Sequence, residues 1–393
     1  MDIMRFCYKF MFLIGVCAPI NHNKWKILGG VARSTIVLTA MTVCVFQPCI
    51  RYFLRHLSNL VEATGVGLMV SIGFFATVSL ISFSLQQTQV HDTLLRFQSS
   101  VKKYASNSQS RIIFANAERQ SDWYTKRITS SLLGFVCTMI LTASITISTV
   151  LSAKGIGPEG WMVPYKAIFT IEQSTFGRYC IILALEMVGG FSILTCVTSI
   201  ASFFVSMCIY LIAFVRSYEI LLASINQMAL QTYVNRIDFT GKFTQLIELH
   251  VEIYVMAEKL IKLVRAVILS TLYGSVIFFA TSIFQCEMLG YEKLNAEFFV
   301  SISGLWMSVV GMYVYSYFAT KTTSEIQAIG EKMYETQWHR YPSEFRMFVQ
   351  LTISRSHRPL HFHGFGLINC DMVTFSKLVN SAVSYYLMFR RMG

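Results

Sequence analysis

Seven apolar runs, each long enough to cross lipid, divide this chain, and few folds can accommodate them. They lie near 29–50, 64–84, 129–152, 181–214, 266–286, 297–319 and 368–390. A helix of about 20 apolar residues matches a hydrocarbon core of about 30 Å. Within that core each backbone N–H and C=O must find its partner inside the protein, which leaves helices or a closed barrel. Runs of this length predict an all-α membrane protein with seven transmembrane helices. Composition agrees, at 54% hydrophobic and 14% charged residues, where soluble domains carry about a quarter charged. The fourth run exceeds a simple crossing and is expected to tilt steeply or project beyond the bilayer.

The formal charge of +12 forms no single patch of the kind nucleic acid needs. Lys and Arg fall in the gaps between runs, unevenly. The N-terminal tail and the gaps 85–128, 215–265 and 320–363 hold 23 of them, and the alternate gaps hold 6. The positive-inside rule then predicts a cytoplasmic N-terminus and, after seven crossings, an extracellular C-terminus. A heptahelical signalling receptor has the opposite orientation. A secondary transporter of inverted repeats is disfavoured because no repeat or matched broken span is visible.

Before the first span, the run from Phe10 to Ile20 reads as an amphipathic segment at the cytoplasmic interface. Pro19 and the stretch Asn21–Lys24 stand where a signal peptide would need small residues. Arg33, near the inner end of span one, is expected to reach the headgroups. The ten cysteines mostly sit in or beside spans, and Cys49, Cys180 and Cys286 leave room for one extracellular disulfide. The 320–363 connector is helical by pattern, breaks near Tyr341-Pro342 and is too charged for lipid. It predicts a cytoplasmic helical anchor layer. The chain thus divides into 1–319, holding six spans and a ligand-binding bundle, and 320–393, holding the anchor helices and a pore-lining seventh span.

That last span carries a polar stripe. Lys377, Ser381, Ser384 and Met388 recur at spacings of four, three and four, with Met392 one turn on, so they share one helix face. Phe375, Val379, Val383 and Tyr386 form a packing face. One reading is an oligomer whose seventh spans surround an axial path, with Ser384 in its lining and Met388 and Met392 as apolar gates. The other is a monomeric bundle whose stripe pairs with neighbouring helices.

The outward and middle parts of the other spans mix aromatic surface with isolated hydroxyls or a thioether. Phe74, Phe75, Ser144, Ser148, Met187, Trp306 and Tyr313 are such positions, suited to binding small volatile organic molecules. Ordinary helix packing is the alternative for each. Glu186, the one carboxylate well inside a span, is either a pocket acceptor or a structural hydrogen-bond partner. Gly155–Gly160 satisfies a dinucleotide pattern only formally, because Pro158 and Glu159 oppose phosphate and a membrane span precedes the loop. His361 and His363 alone make a weak metal pair. No catalytic motif is visible, so neither an enzyme nor a cofactor is expected.

The order Tyr334-Glu335, Trp338, FVQLTISRSHRPL at 348–360, Gly364-Phe-Gly, Thr374-Phe375 and Ser384-Tyr385-Tyr386 resembles the C-terminal third of insect odorant receptors. LIGVCAP at 13–19 resembles their N-terminal stretch. Gustatory receptors, the sister family, end with Thr-Tyr and Gln-Phe pairs, where this chain has Thr374-Phe375 and Ser381-Ala382. The family's shared co-receptor carries a longer second cytoplasmic loop. The resemblance implies a ligand-specific tuning subunit of a non-selective cation channel in the plasma membrane of a sensory dendrite. It would form a heterotetramer with the co-receptor and be opened by a small volatile odorant bound among spans two, three, four and six. By position, Met388 and Met392 would be the gates, and Arg390-Arg391 beside them departs from the family pattern.

Overall fold

The structure, a computed structural model, describes residues 9, 11–16, 24–105, 107–152, 167–170, 175–230, 236–289 and 296–392. The Gly155–Gly160 loop lies outside them, as do residues 17–19 of the LIGVCAP stretch and the side chains of Ser148 and Met392.

Six of the apolar runs lie wholly in helical structure, and the seventh begins in a short strand just before its helix. Helix α1 (Lys24–Met41) passes through a π-helical turn (Thr42–Phe46) into α2 (Gln47–Arg55). Pro48 has no N–H to give the carbonyl four residues back, and the wider π turn sits at that point. Then come α3 (Leu60–Leu85), α4 (Gln87–Tyr104), α5 (Ser108–Ser152), α6 (Phe176–Ala229), α7 (Arg236–Leu289) and α8 (Ala296–Tyr334). A 3₁₀ turn (Trp338–Arg340) leads to α9 (Ser343–Ser356), a two-stranded hairpin of β1 (His363–Gly364) and β2 (Ile368–Asn369), and finally α10 (Met372–Met392). The break at Tyr341-Pro342 falls between the 3₁₀ turn and α9.

Among the described residues four stretches are long and apolar enough to cross a membrane by length and composition: Leu28–Arg55, Leu60–Leu85, Phe176–Ala229 and Arg236–Met288. In α5 and α8 some apolar side chains lie outside the described set. In α10 the stripe itself lowers the mean hydropathy, since Ser376, Lys377, Asn380, Ser381 and Ser384 interrupt the apolar positions. The molecule is an all-α membrane protein.

The fourth run proves to be one helix of 54 residues. At 1.5 Å per residue it reaches about 80 Å, far beyond a hydrocarbon core of about 30 Å. Its stretch 198–215 is buried on every side, so α6 is the central post of the fold. Hydroxyl pairs knit neighbours to it and to each other: Ser121 to Ser206 at 2.7 Å, Ser110 to Ser217 at 3.2 Å, and Ser79 to Ser270 at 3.2 Å. Such pairs let helices approach closely while satisfying polar groups away from water.

The inner ends of α6, α7 and α8 combine with α9 into the cytoplasmic layer. Phe239 and Phe243 of α7 close against Tyr341 and Phe345, with ring centroids 4.6–6.2 Å apart. Lys332 pairs with Glu219. Arg96 of α4 grips Glu252 of α7 with two 2.6 Å hydrogen bonds, and Ser100 donates to the same carboxylate.

His250 of α7 lies in this layer, 4.8 Å from the Tyr254 ring and 6.0 Å from that of Tyr218. Its Nδ1 is buried without a hydrogen-bond partner among the described residues. Burial, and then the Arg355 guanidinium, push its pKa down to about 4. A folded value below the unfolded one means the unfolded chain binds the extra proton, so stability is complete above the ordinary value of 6.5 and falls as pH drops toward 4. The full loss is about 3 kcal/mol, at about 1.4 kcal/mol per pKa unit. Thermal melts of detergent-solubilised protein should therefore decline between pH 6.5 and 4.5, and His250→Phe should flatten that part of the decline. An unchanged slope in the variant would mean that other groups control it.

One expectation at the inner face is revised. Arg33 turns inward, donating from Nε to the Phe12 carbonyl at 3.1 Å with its guanidinium 4.0 Å over the Phe12 ring. A carbonyl and a ring within reach hold the cation better than distant headgroups. The segment before span one is correspondingly docked, with Met11, Ile14 and Val16 buried and the Gly15 carbonyl accepting from Gln87 at 3.0 Å. The eight described cysteines, Cys49, Cys180 and Cys286 among them, are all free thiols.

Candidate functional site

Five helices enclose a cavity of about 130 Å³. Phe75, Ala76 and Ser79 of α3 form one wall, and Ile128 and Ser131 of α5 the next. Cys196 and Ile200 of α6, Thr271, Gly274, Ser275 and Phe278 of α7, and Ser308, Gly311, Val314 and Tyr315 of α8 complete it. No charged side chain lines it. A space of this size and polarity suits a small neutral molecule, since an apolar void of roughly 150 Å³ holds one benzene.

Three hydroxyls in the walls are occupied. Ser79 bonds Ser270, Ser308 donates to the Leu305 carbonyl at 2.8 Å, and Ser131 accepts from Trp306 Nε1 at 3.2 Å. Thr271 lies beside the Tyr315 hydroxyl. Ser275 has no hydrogen-bond partner among the described residues. It faces Gly311, where a Cβ would come 3.7 Å from its Oγ. Beside it, Gly274 lets the Phe75 ring rest directly on the α7 backbone, because any Cβ there would overlap the ring.

Of the described residues picked from sequence, the cavity gathers Phe75 alone. Phe74, the next residue, is 48% exposed on the outer face of α3. Trp306 is also on an outer face, though its indole holds the cavity residue Ser131. Ser144 is exposed and bonds the Ile140 carbonyl at 2.8 Å. Glu186 and Met187 sit in the outward half of α6, Glu186 fully buried near Cys49 and Tyr179. Tyr313 faces away, stacked on Tyr317 and edge-on to Phe375 of α10 with centroids 5.9 Å apart. Span five, absent from the predicted pocket, supplies a large share of the wall.

The missed residues left a trace in the sequence. Gly304, Ser308 and Gly311 recur at spacings of four and three on α8, and Ser270, Gly274 and Ser275 lie on one flank of α7. Small residues at these spacings mark faces where helices approach closely.

Helix α10 packs by one face only. Phe375, Leu378, Val379, Ala382, Tyr386 and Phe389 lean on α7 and α8. Val383 lies at the edge of this face and is exposed, as its turn of about 100° from Ala382 requires. Lys377, Ser381, Ser384 and Met388 point away from the bundle. The Ser381 and Ser384 hydroxyls bond backbone carbonyls one turn back, at 2.9 and 3.0 Å, and among the described residues no other helix hydrogen-bonds to them.

The start of α10 is fixed by the hairpin. Asp371 caps it, accepting from the Thr374 N–H at 2.6 Å, and the Thr320 hydroxyl accepts from the Met372 N–H at 3.0 Å. Gly366 sits at φ +77° in the turn and donates its N–H to His363 Nδ1 at 3.0 Å, so His363 shapes the turn. Gly364 lies so near the α7 backbone at Leu269 that a Cβ would collide.

Residues 35–383 match the family model described as 7tm Odorant receptor. The chain belongs to the 7tm odorant receptor family. It is 26% identical to Odorant receptor 9a of Drosophila melanogaster over 116 residues, which is 28% of this receptor and 29% of that one. The insect olfactory receptor OR5 from Machilis hrabei, solved in complex with eugenol, superposes with a TM-score of 0.75 over 100% of this receptor and 99% of that chain, at 12% identity. A second structure of OR5 from Machilis hrabei gives 0.76, with 99% and 98% coverage, again at 12% identity. At such identity the likeness speaks for the fold. The Gly364-Phe-Gly and Thr374-Phe375 motifs thus mark, in this receptor, the hairpin and first turn that aim α10.

Proposed function

We propose that this receptor is a ligand-specific subunit of an odorant-gated, non-selective cation channel, assembled with the co-receptor as a heterotetramer in the plasma membrane. The carrying observation is that α8 serves two surfaces at once. Gly311, Val314 and Tyr315 line the cavity, and Tyr313 and Tyr317, on another side of the same turns, adjoin α10 through Phe375. A molecule filling the cavity bears on α8 and hence on the terminal helix, without any large domain movement.

The ligand would be small, neutral and mostly apolar, with one hydrogen-bonding atom for Ser275. Binding opens the channel only to the extent that the open state binds the ligand better. Eugenol, with its ring and oxygen substituents, is the ligand of OR5, and the present cavity favours molecules of that chemistry at the smaller end. The exposed stripe on α10 supports a role as one wall of the conduit, with Ser384 facing it and Met388 and Met392 narrowing it.

Co-expression with the co-receptor, challenged with a panel of small volatile aromatics, esters and alcohols, tests this reading. The expected result is a sustained odour-evoked cation current in the pair, absent in cells expressing either chain without its partner. Surface-expressed pairs that bind an odorant yet carry no current would overturn the channel assignment.

A further inference from the structure

A second groove lies on the surface of the bundle, at the inner end of span two. Val78, Ile81 and Leu85 at the end of α3 give it an apolar half, and Lys262 and Arg265 of α7 give it a basic half. Gln86 and Gln89, where α3 gives way to α4, complete its floor. Leu85 is 82% exposed within the fold, and Tyr273 and Ile277 continue an exposed apolar face outward along α7. Lys262 and Tyr273 are close to in line on that face and separated by about 16 Å of helix axis. One stripe of α7 therefore runs from apolar to cationic over the distance from acyl chains to headgroup.

We propose that this groove binds an anionic phospholipid of the inner leaflet, with acyl chains along Ile81, Leu85 and Tyr273 and headgroup phosphate between Lys262 and Arg265. Neither cation is paired with a carboxylate among the described residues, so both are available to a phosphate, and Gln86 already spends its amide on Ser82. Basic pockets between helices on the cytoplasmic side are suited to such headgroups. A soluble phosphate would use only the basic half. The apolar half commits the site to lipid.

The site also reaches the terminal helix. The Arg265 guanidinium lies 4.8 Å over the ring of Phe365, at the tip of the hairpin that launches α10. Phe365 has φ 53°, and Leu367 beside it is 74% exposed, so the tip presents apolar side chains at the interface. A headgroup on Arg265 fixes the cation that holds this tip, and bound lipid thereby stiffens the entry to α10.

The test uses full-length receptor in nanodiscs of phosphatidylcholine, with and without phosphatidylserine, followed by native mass spectrometry of retained lipid. Wild type should retain phosphatidylserine in preference to phosphatidylcholine. The double variant Lys262→Gln/Arg265→Gln should lose about thirtyfold in that preference, at about 1 kcal/mol per cation. A control removing two exposed cations deeper in the cytoplasmic layer, Lys102→Gln/Arg119→Gln, should keep it. Amide exchange across the 363–369 hairpin should slow with phosphatidylserine in wild type and stay constant in Arg265→Gln. Equal retention in the double variant, or displacement of the lipid by inorganic phosphate alone, would overturn the proposal.

Discussion

Ser275→Phe should abolish odour-evoked current while leaving the receptor assembled at the cell surface. The substitution adds a benzene-sized group to a cavity of about 130 Å³, about the volume a ligand would need. It also removes a cavity hydroxyl that has no hydrogen-bond partner among the described residues. Excluding a ligand that buries most of its surface forfeits about 3 kcal/mol or more of binding, which raises the half-maximal concentration at least about a hundredfold. Overpacking costs about 1–3 kcal/mol of stability, a loss a 54-residue helix gripped on several sides can absorb. Surface labelling separates a filled pocket from a misfolded receptor. Phe74→Ala, one residue from the cavity wall on the outer face of α3, should respond as wild type does. Equal sensitivity of the Phe74 and Ser275 variants would dissociate the cavity from odour recognition.

The contrast between Phe74 and Phe75 also explains what the sequence can and cannot disclose. Seven membrane helices were legible because hydropathy accumulates over about 20 residues and tolerates errors of several positions at each end. The stripe of α10 was legible because it concerns one helix: Lys377, Ser381, Ser384 and Met388 align by the helical repeat alone. The cavity depends on how five helices are rotated against one another. A rotation of about 100° exchanges one residue for the next. Phe74 and Trp306 have the right chemistry and face outward, whereas Phe75, Met307 and Ser308 beside them face the void. Tyr313 and Tyr315 divide in the same way. Rotation is fixed by close approaches at small residues, such as Gly274 under the Phe75 ring, and aromatic content alone does not point to these. The inward docking of Arg33 has a similar origin, since its partner is a carbonyl 21 residues away that no local pattern identifies.

The other large effect concerns the stripe. In Ser384→Cys, a positively charged thiol reagent applied from outside should suppress odour-evoked current nearly completely, with faster modification when odorant is present. Ser384 lies on the face of α10 opposite Ala382, which is fully buried against the rest of the chain. Ala382→Cys should therefore resist the reagent, and the pair of variants separates a water-lined face from a packed one on the same turn. Any cation fixed in a passage narrow enough to be closed by Met388 raises the barrier for a permeating cation, because a low-dielectric wall strengthens repulsion. Lys377 bears on the same argument: it lies two turns inward of Ser384, at the start of the helix, where the passage would widen toward the cytoplasm. The outer end is tethered, with the Tyr386 hydroxyl 2.7 Å and Arg390 Nε 3.0 Å from the Glu287 carboxylate of α7. On the proposed reading, a helix fixed at Asp371 within and at Glu287 without would admit ions by moving its middle, and Ser384 lies in that middle. If the Ser384 thiol reacts at the same rate with and without odorant and current survives, the stripe borders lipid or a neighbouring helix, and the conduit runs elsewhere.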